Sequence, residues 1–88
     1  VDTMHTWTDD QLADYETALE TIGNVIAITS RDIANEQGKT QPDVDRINEL
    51  RALQWRLTRE RHDLRIDDDA AVHKAIEIYS KIVRAGRL

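Results

Sequence analysis

From Leu12 to Ile33 the apolar side chains return every three or four residues, at Leu12, Tyr15, Leu19, Ile22, Ile26 and Ile33, with Thr29 the one break in the series. That period marks one face of an α-helix and is incompatible with a strand, whose faces alternate at every second residue. The segment opens with Thr8-Asp9-Asp10-Gln11, the spacing of a capping box. In such a box the hydroxyl accepts from a free backbone amide and the glutamine side chain reaches back. Trp7 and Leu12 stand where a hydrophobic staple would place them. The pattern predicts one helix over residues 9–37, stopped by Gly38 in the left-handed conformation. Gly23-Asn24 is its weak point, since an internal glycine costs about 1 kcal/mol relative to alanine. The seam keeps its phase across it, so one helix is expected, with any kink at Gly23.

Two further helices follow. Thr40-Gln41-Pro42-Asp43 reads as an entry signal, because proline suits a first turn that needs no amide donor and acids favour the positive helix end. A helix over 42–64 then carries Ile47, Leu50, Leu53, Leu57 and Leu64 on one stripe. The triplet Asp67-Asp68-Asp69 supplies candidate N-caps for a helix over 68–85, with Ile66 as a staple and Gly86 as the stop. Its apolar residues Ala71, Val72, Ala75, Ile76, Ile78, Tyr79, Ile82 and Val83 cover about half the circumference, more than one neighbour requires.

These elements predict an all-α fold, an antiparallel three-helix bundle forming a single domain over residues 4–88. Met4 is the single methionine and is expected to be the native start, with Val1 to Thr3 left by the expression vector. With 88 residues the chain is near the lower size that folds unaided. The first helix is also longer than its partners, so a homodimer is expected to complete the fold. The positions expected in the core or a dimer contact are Leu12, Leu19, Ile22, Ile26, Leu50, Leu57, Ile76, Tyr79 and Val83.

There is no cysteine, which excludes disulfides and thiolate metal sites and suits a reducing cytoplasm, the expected location. The longest apolar run, Val25 to Ile28, is far short of the roughly 20 residues that span a bilayer. A net charge of −5 argues against a general polyanion binder. The charge is unevenly placed: residues 1–45 carry ten acids against Arg31 and Lys39, whereas residues 46–66 carry six arginines against three acids. Neighbouring acidic and basic helices would attract each other, which accounts for much of this pattern.

The stretch RALQWRLTRERHDLR, residues 51–65, holds five arginines, a histidine and one of two tryptophans. Arg51, Trp55 and Arg59 are spaced i, i+4, so both guanidinium groups can lie against the indole on the side opposite the apolar stripe. Tryptophan and arginine are enriched where binding energy concentrates. Arg51, Trp55, Arg59 and His62 are therefore the expected partner-binding residues, although burial of Trp55 under the third helix or a dimer mate would be the plainer outcome. Asn48 and Gln54 on the same helix would suit a DNA major groove. Against that, Arg46, Arg51, Arg56, Arg59, Arg61 and Arg65 encircle the helix instead of forming one basic track.

A metal site is conceivable from His62-Asp63, Asp67 to Asp69 and His73, but acids at a helix start are ordinary caps, and His5 lies apart near the terminus. No metal and no cofactor is expected. No nucleophile elbow, phosphate-binding glycine loop or paired-acid motif is present. The long first helix, two shorter ones and arginines resemble the architecture of small helical chorismate mutases. In that resemblance Arg31, Lys39 and Arg46 stand loosely for the family's cationic residues. Their separations are shorter than the family's, and the third helix lacks its late glutamine. The Ser/Thr-x-x-x-Glu-Gly signature of antitoxins that block AMP-transferring toxins is not met, since Ser30 lies six residues before Glu36.

The function expected from the sequence is a small helical protein-protein interaction module of antitoxin, immunity, adaptor or regulator type, without catalysis. An arginine-lined enzyme of mutase-like architecture and a DNA-binding regulator using the second helix are the alternatives. A homodimer or another protein is the expected partner, with nucleic acid disfavoured and no membrane.

Overall fold

The computed structural model describes residues 6–88, and these form three helices and no strand: α1 (Asp9–Gln37), α2 (Val44–Asp63) and α3 (Asp69–Ala85). The assignment of Met4 and of Val1 to Thr3 lies outside the described residues, as does His5. No described helix is long and apolar enough to cross a membrane.

α1 starts as its sequence predicts. The Gln11 amide donates to Thr8 Oγ1 at 3.1 Å and the Thr8 amide donates to Gln11 Oε1 at 2.8 Å, closing the capping box. The helix runs through Gly23 without interruption. Gly38 stops it differently from the expectation. Its φ is −80°, right-handed, and the turn is held by the Gly38 amide on the Ala34 carbonyl and the Lys39 amide on the Glu36 carbonyl. The left-handed stop is at Gly86, where φ is +70°.

The second helix begins two residues later than predicted. Asp43 is its N-cap, accepting from the Arg46 amide at 3.0 Å, so Pro42 precedes the cap and lies outside the first turn. Glu36, buried at the end of α1, reaches this start: its carboxylate faces the Asp43 amide at 3.5 Å and pairs with Lys39 at 3.0 Å. One side chain thus ties both ends of the 38–43 connection. Asp68 caps α3 by accepting from the Ala71 amide.

α1 packs against both α2 and α3, whereas α2 and α3 do not approach each other closely among the described residues. The side chains of Tyr79 and Glu60 span the gap between them with a hydrogen bond. The core lies where the three helices meet: Ala18, Ile22 and Val25 from α1, Leu57 from α2, and Val72 and Ala75 from α3. Ile47 and Leu50 are buried outside this cluster, nearer the 38–43 connection.

The observed face of α1 is rotated from the predicted seam. At ~100° per residue, the expected seam centres on the side that meets α2, while α3 covers a second side through Gln11 and Asp14. Burial is deepest at Ile22, on the predicted seam, and between the two sides at Ala18, Val25 and Thr29. Thr29, which broke the apolar seam, is fully buried, its hydroxyl donating to the Ile26 carbonyl at 2.6 Å. Leu12, expected in the core or a dimer contact, is 37 % exposed in this chain. The α2 contact through Arg61 reaches back to Leu19, about two turns short of Leu12. Trp7 lines a hollow with Tyr15, Leu64 and Ile66. Of the other expected positions, Ile22, Leu50 and Leu57 are buried; Ile26, Ile76, Tyr79 and Val83 are half-buried against the core, and Leu19 is half-buried.

Candidate functional site

The inner side of α2 is consumed by packing. Besides Leu50 and Leu57, Gln54 donates from Nε2 to Thr29 Oγ1 at 3.0 Å and to Ser30 Oγ at 2.7 Å. Arg61 donates from Nε to the Leu19 carbonyl at 3.0 Å. Gln54, which sequence reasoning offered to a DNA groove, is thus occupied against α1. The predicted attraction between acidic α1 and basic α2 takes no direct form, since among the described residues no ion pair joins the two helices.

The opposite side of α2 is open. Trp55 is 61 % exposed and Val44 64 %, so neither α3 nor any other part of the described chain covers the indole. Arg59 lies over the Trp55 ring, its guanidinium carbon 5.7 Å from the centroid, within cation-π range. Arg51, one turn to the other side, is exposed and has no ion-pair partner among the described residues. His62 is exposed and its Nδ1 lies 3.1 Å from Asp63 Oδ1; Arg59 meets the other Asp63 oxygen only at 4.0 Å. The structure therefore brings Arg51, Trp55, Arg59 and His62 onto one solvent-facing surface of a single rigid helix.

The residues proposed for other chemistries are dispersed. Arg31 pairs with Asp32 at 3.0 Å and Arg46 with Glu49 at 3.7 Å, both on their own helices, and Lys39 is held by Glu36. Two surface hollows are lined by the end of α2, the 64–68 connection, the start of α3 and the residues around Trp7; neither is lined by Arg31, Arg46 or Arg51. His73 Nε2 lies 3.0 Å from Asp14 Oδ2, and Asp69 accepts from Gln11 Nε2 at 3.0 Å, so both tie α3 to the first turns of α1. Among the described residues no three His, Cys, Asp or Glu side chains converge as metal ligands.

Sequence reasoning missed the Tyr79–Glu60 link. Burial and the Glu60 carboxylate push the Tyr79 phenol up to about 12, partly opposed by Arg56. Nothing in the spacing of Tyr79 from Glu60 along the chain signals this contact, which depends on how α2 and α3 lie over α1.

Comparison with protein-family models, with curated proteins and with solved structures finds no match to this chain.

Proposed function

We propose that this chain is a small helical protein-protein interaction module, of antitoxin, immunity, adaptor or regulator type, that acts by surface complementarity and without catalysis. The observation that carries this reading is the exposed Trp55, held against Arg59 on the outer face of α2. A large indole left in water forfeits burial worth a few kcal/mol. Aromatic and arginine anchors on a rigid element are what a partner surface needs to gain affinity at small ordering cost. The dispersal of Arg31, Arg46 and Arg51 supports a non-catalytic role over a mutase-like one. Turnover of chorismate by the purified chain would reverse that preference.

The same reading includes an antiparallel bundle, a homodimer and a cytoplasmic setting. The order of contacts supports the first: Gln54 meets Thr29 and Ser30, while Arg61, later in α2, meets the earlier Leu19. A thin core supports the second. Only eight apolar side chains are buried among the described residues, two of them alanine, while Ile78 and Leu12 stay exposed. The absence of cysteine suits the third.

The test is capture of a partner from the native host, with light scattering on the purified chain in parallel. The wild-type chain is expected to retain a partner that Trp55→Ala and the Arg51→Ala, Arg59→Ala pair lose. Equal retention by every variant would remove the α2 face from the proposal, and a strict monomer at high concentration would remove the dimer.

A further inference from the structure

We infer that the outer face of α2 receives an acidic helical segment of another protein, with two carboxylates flanking an apolar side chain seated on Trp55. The inference rests on the binding-module reading and names the chemistry of its partner. The exposed face around the indole carries Val44, Asn48, Arg51, Trp55, Arg59 and His62, and the acid paired with it is Asp63, on a chain that holds 17 acids against 12 lysines and arginines. The other acids of α2 lie away from the indole. Asp45 sits in the first turn, Glu49 pairs with Arg46 and Glu60 turns to Tyr79, while Asp63 stands at the margin, 3.1 Å from His62 and 4.0 Å from Arg59. A local basic-aromatic strip is thus preserved on an acidic molecule, the arrangement that steers an acidic partner and repels a second basic one.

The spacing defines the complement. Arg51 and Arg59 lie one helical turn to either side of Trp55, about 6 Å each way along the axis. Carboxylates some 12 Å apart would meet both guanidinium groups, which on a helix are residues i and i+8, with the apolar side chain at i+4. A second copy docking through the same face would set Arg51 and Arg59 against their own kind, an arrangement that costs binding energy. Duplex DNA would find only two permanent cations beside Trp55, too few for a phosphate track, and α1 carries an excess of acids.

The experiment follows Trp55 emission in a Trp7→Phe chain. The same titration in the wild-type chain, with Trp55→Ala as the blank, guards against a folding effect of that change. The probe is a synthetic alanine-rich helical peptide bearing leucine with glutamate four residues before and four after. Controls carry glutamine or lysine in place of glutamate, and a short random DNA duplex is titrated alongside. The acidic peptide is expected to shift the emission saturably, with affinity falling as salt rises. Arg51→Ala and Arg59→Ala should each weaken it roughly tenfold with helix content and melting unchanged. Equal binding of the glutamine peptide, or tighter binding of the duplex, would overturn the inference. So would an emission shift that follows protein concentration alone and vanishes with a dimer in sedimentation. A host partner captured through Trp55 regardless of salt would overturn the acidic chemistry and leave the binding-module reading standing.

Discussion

The Arg61 guanidinium donates from Nε to the Leu19 carbonyl at 3.0 Å, beside the Cα of Gly23. The Leu19 carbonyl belongs to the middle of an unbroken helix, where its other lone pair serves the amide four residues on. The long side chain of α2 therefore reaches the α1 backbone at the one glycine inside that helix. A Cβ at Gly23 would stand 3.8 Å from Arg61 Nε, an ordinary contact.

Gly23→Ala is accordingly expected to stabilise the chain by about 0.5–1 kcal/mol, the helix-propensity difference, because space exists for the methyl group. Thermal melting followed by circular dichroism should show a midpoint a few degrees higher. A lower midpoint would mean that the Arg61 contact needs the bare backbone.

The other two glycines should respond in opposite ways. Gly86, at φ +70°, holds a left-handed conformation, so Gly86→Ala is expected to cost about 1 kcal/mol despite open space around it. Gly38 has a right-handed φ and nothing nearer than the Ala34 carbonyl at 3.6 Å. Gly38→Ala should be neutral or slightly stabilising, and chemical denaturation of both variants compares them directly.

Glu36 is buried at the end of α1 with its carboxylate between Lys39 and the start of α2. Glu36→Ala is expected to cost about 1–3 kcal/mol by removing the charge-assisted bonds that close the 38–43 connection. Hydrogen exchange should rise first in the opening turn of α2. Uniformly unchanged exchange would show the connection to be held otherwise.

The Tyr79 phenol gives a pH dependence of known sign. Its pKa is raised to about 12, against about 10 for an unfolded tyrosine, by burial and by the bond to Glu60. The folded chain therefore keeps a proton that the unfolded chain releases. The resulting stability is fully present below about pH 10 and is lost as pH rises toward 12. Denaturation curves of the wild type and Tyr79→Phe across that window should converge with rising pH. A constant difference between them would contradict the link to Glu60.

Trp55→Ala should leave stability within about 0.5 kcal/mol of wild type, since the indole is mostly in water and its main neighbour is Arg59. Leu50→Ala, by contrast, removes a buried side chain and is expected to cost about 2–5 kcal/mol. Melting curves of the two variants separate the outer face of α2 from its inner one.

The sequence by itself determined what is local. The Thr8 capping box, the span of α1, the Asp68 cap and the left-handed Gly86 follow from residues a few positions apart, whose interactions are complete within one or two helical turns. The division of α2 into an apolar stripe and an Arg51, Trp55, Arg59 face was legible for the same reason. Only the tertiary structure decided which parts of each face are covered. α1 has two neighbours, so its deepest burial takes in Ile22 of the apolar seam and extends beyond it to Ala18, Val25 and Thr29. Leu12 is left 37 % exposed, toward the start of α1 and about two turns before the Arg61–Leu19 bond. Trp55 is open because α3 packs on α1 and not on α2, and Tyr79 meets Glu60 because those two helices still pass within side-chain reach. Periodicity records the side on which a helix is apolar; the lengths and placement of its neighbours determine how much of that side leaves water.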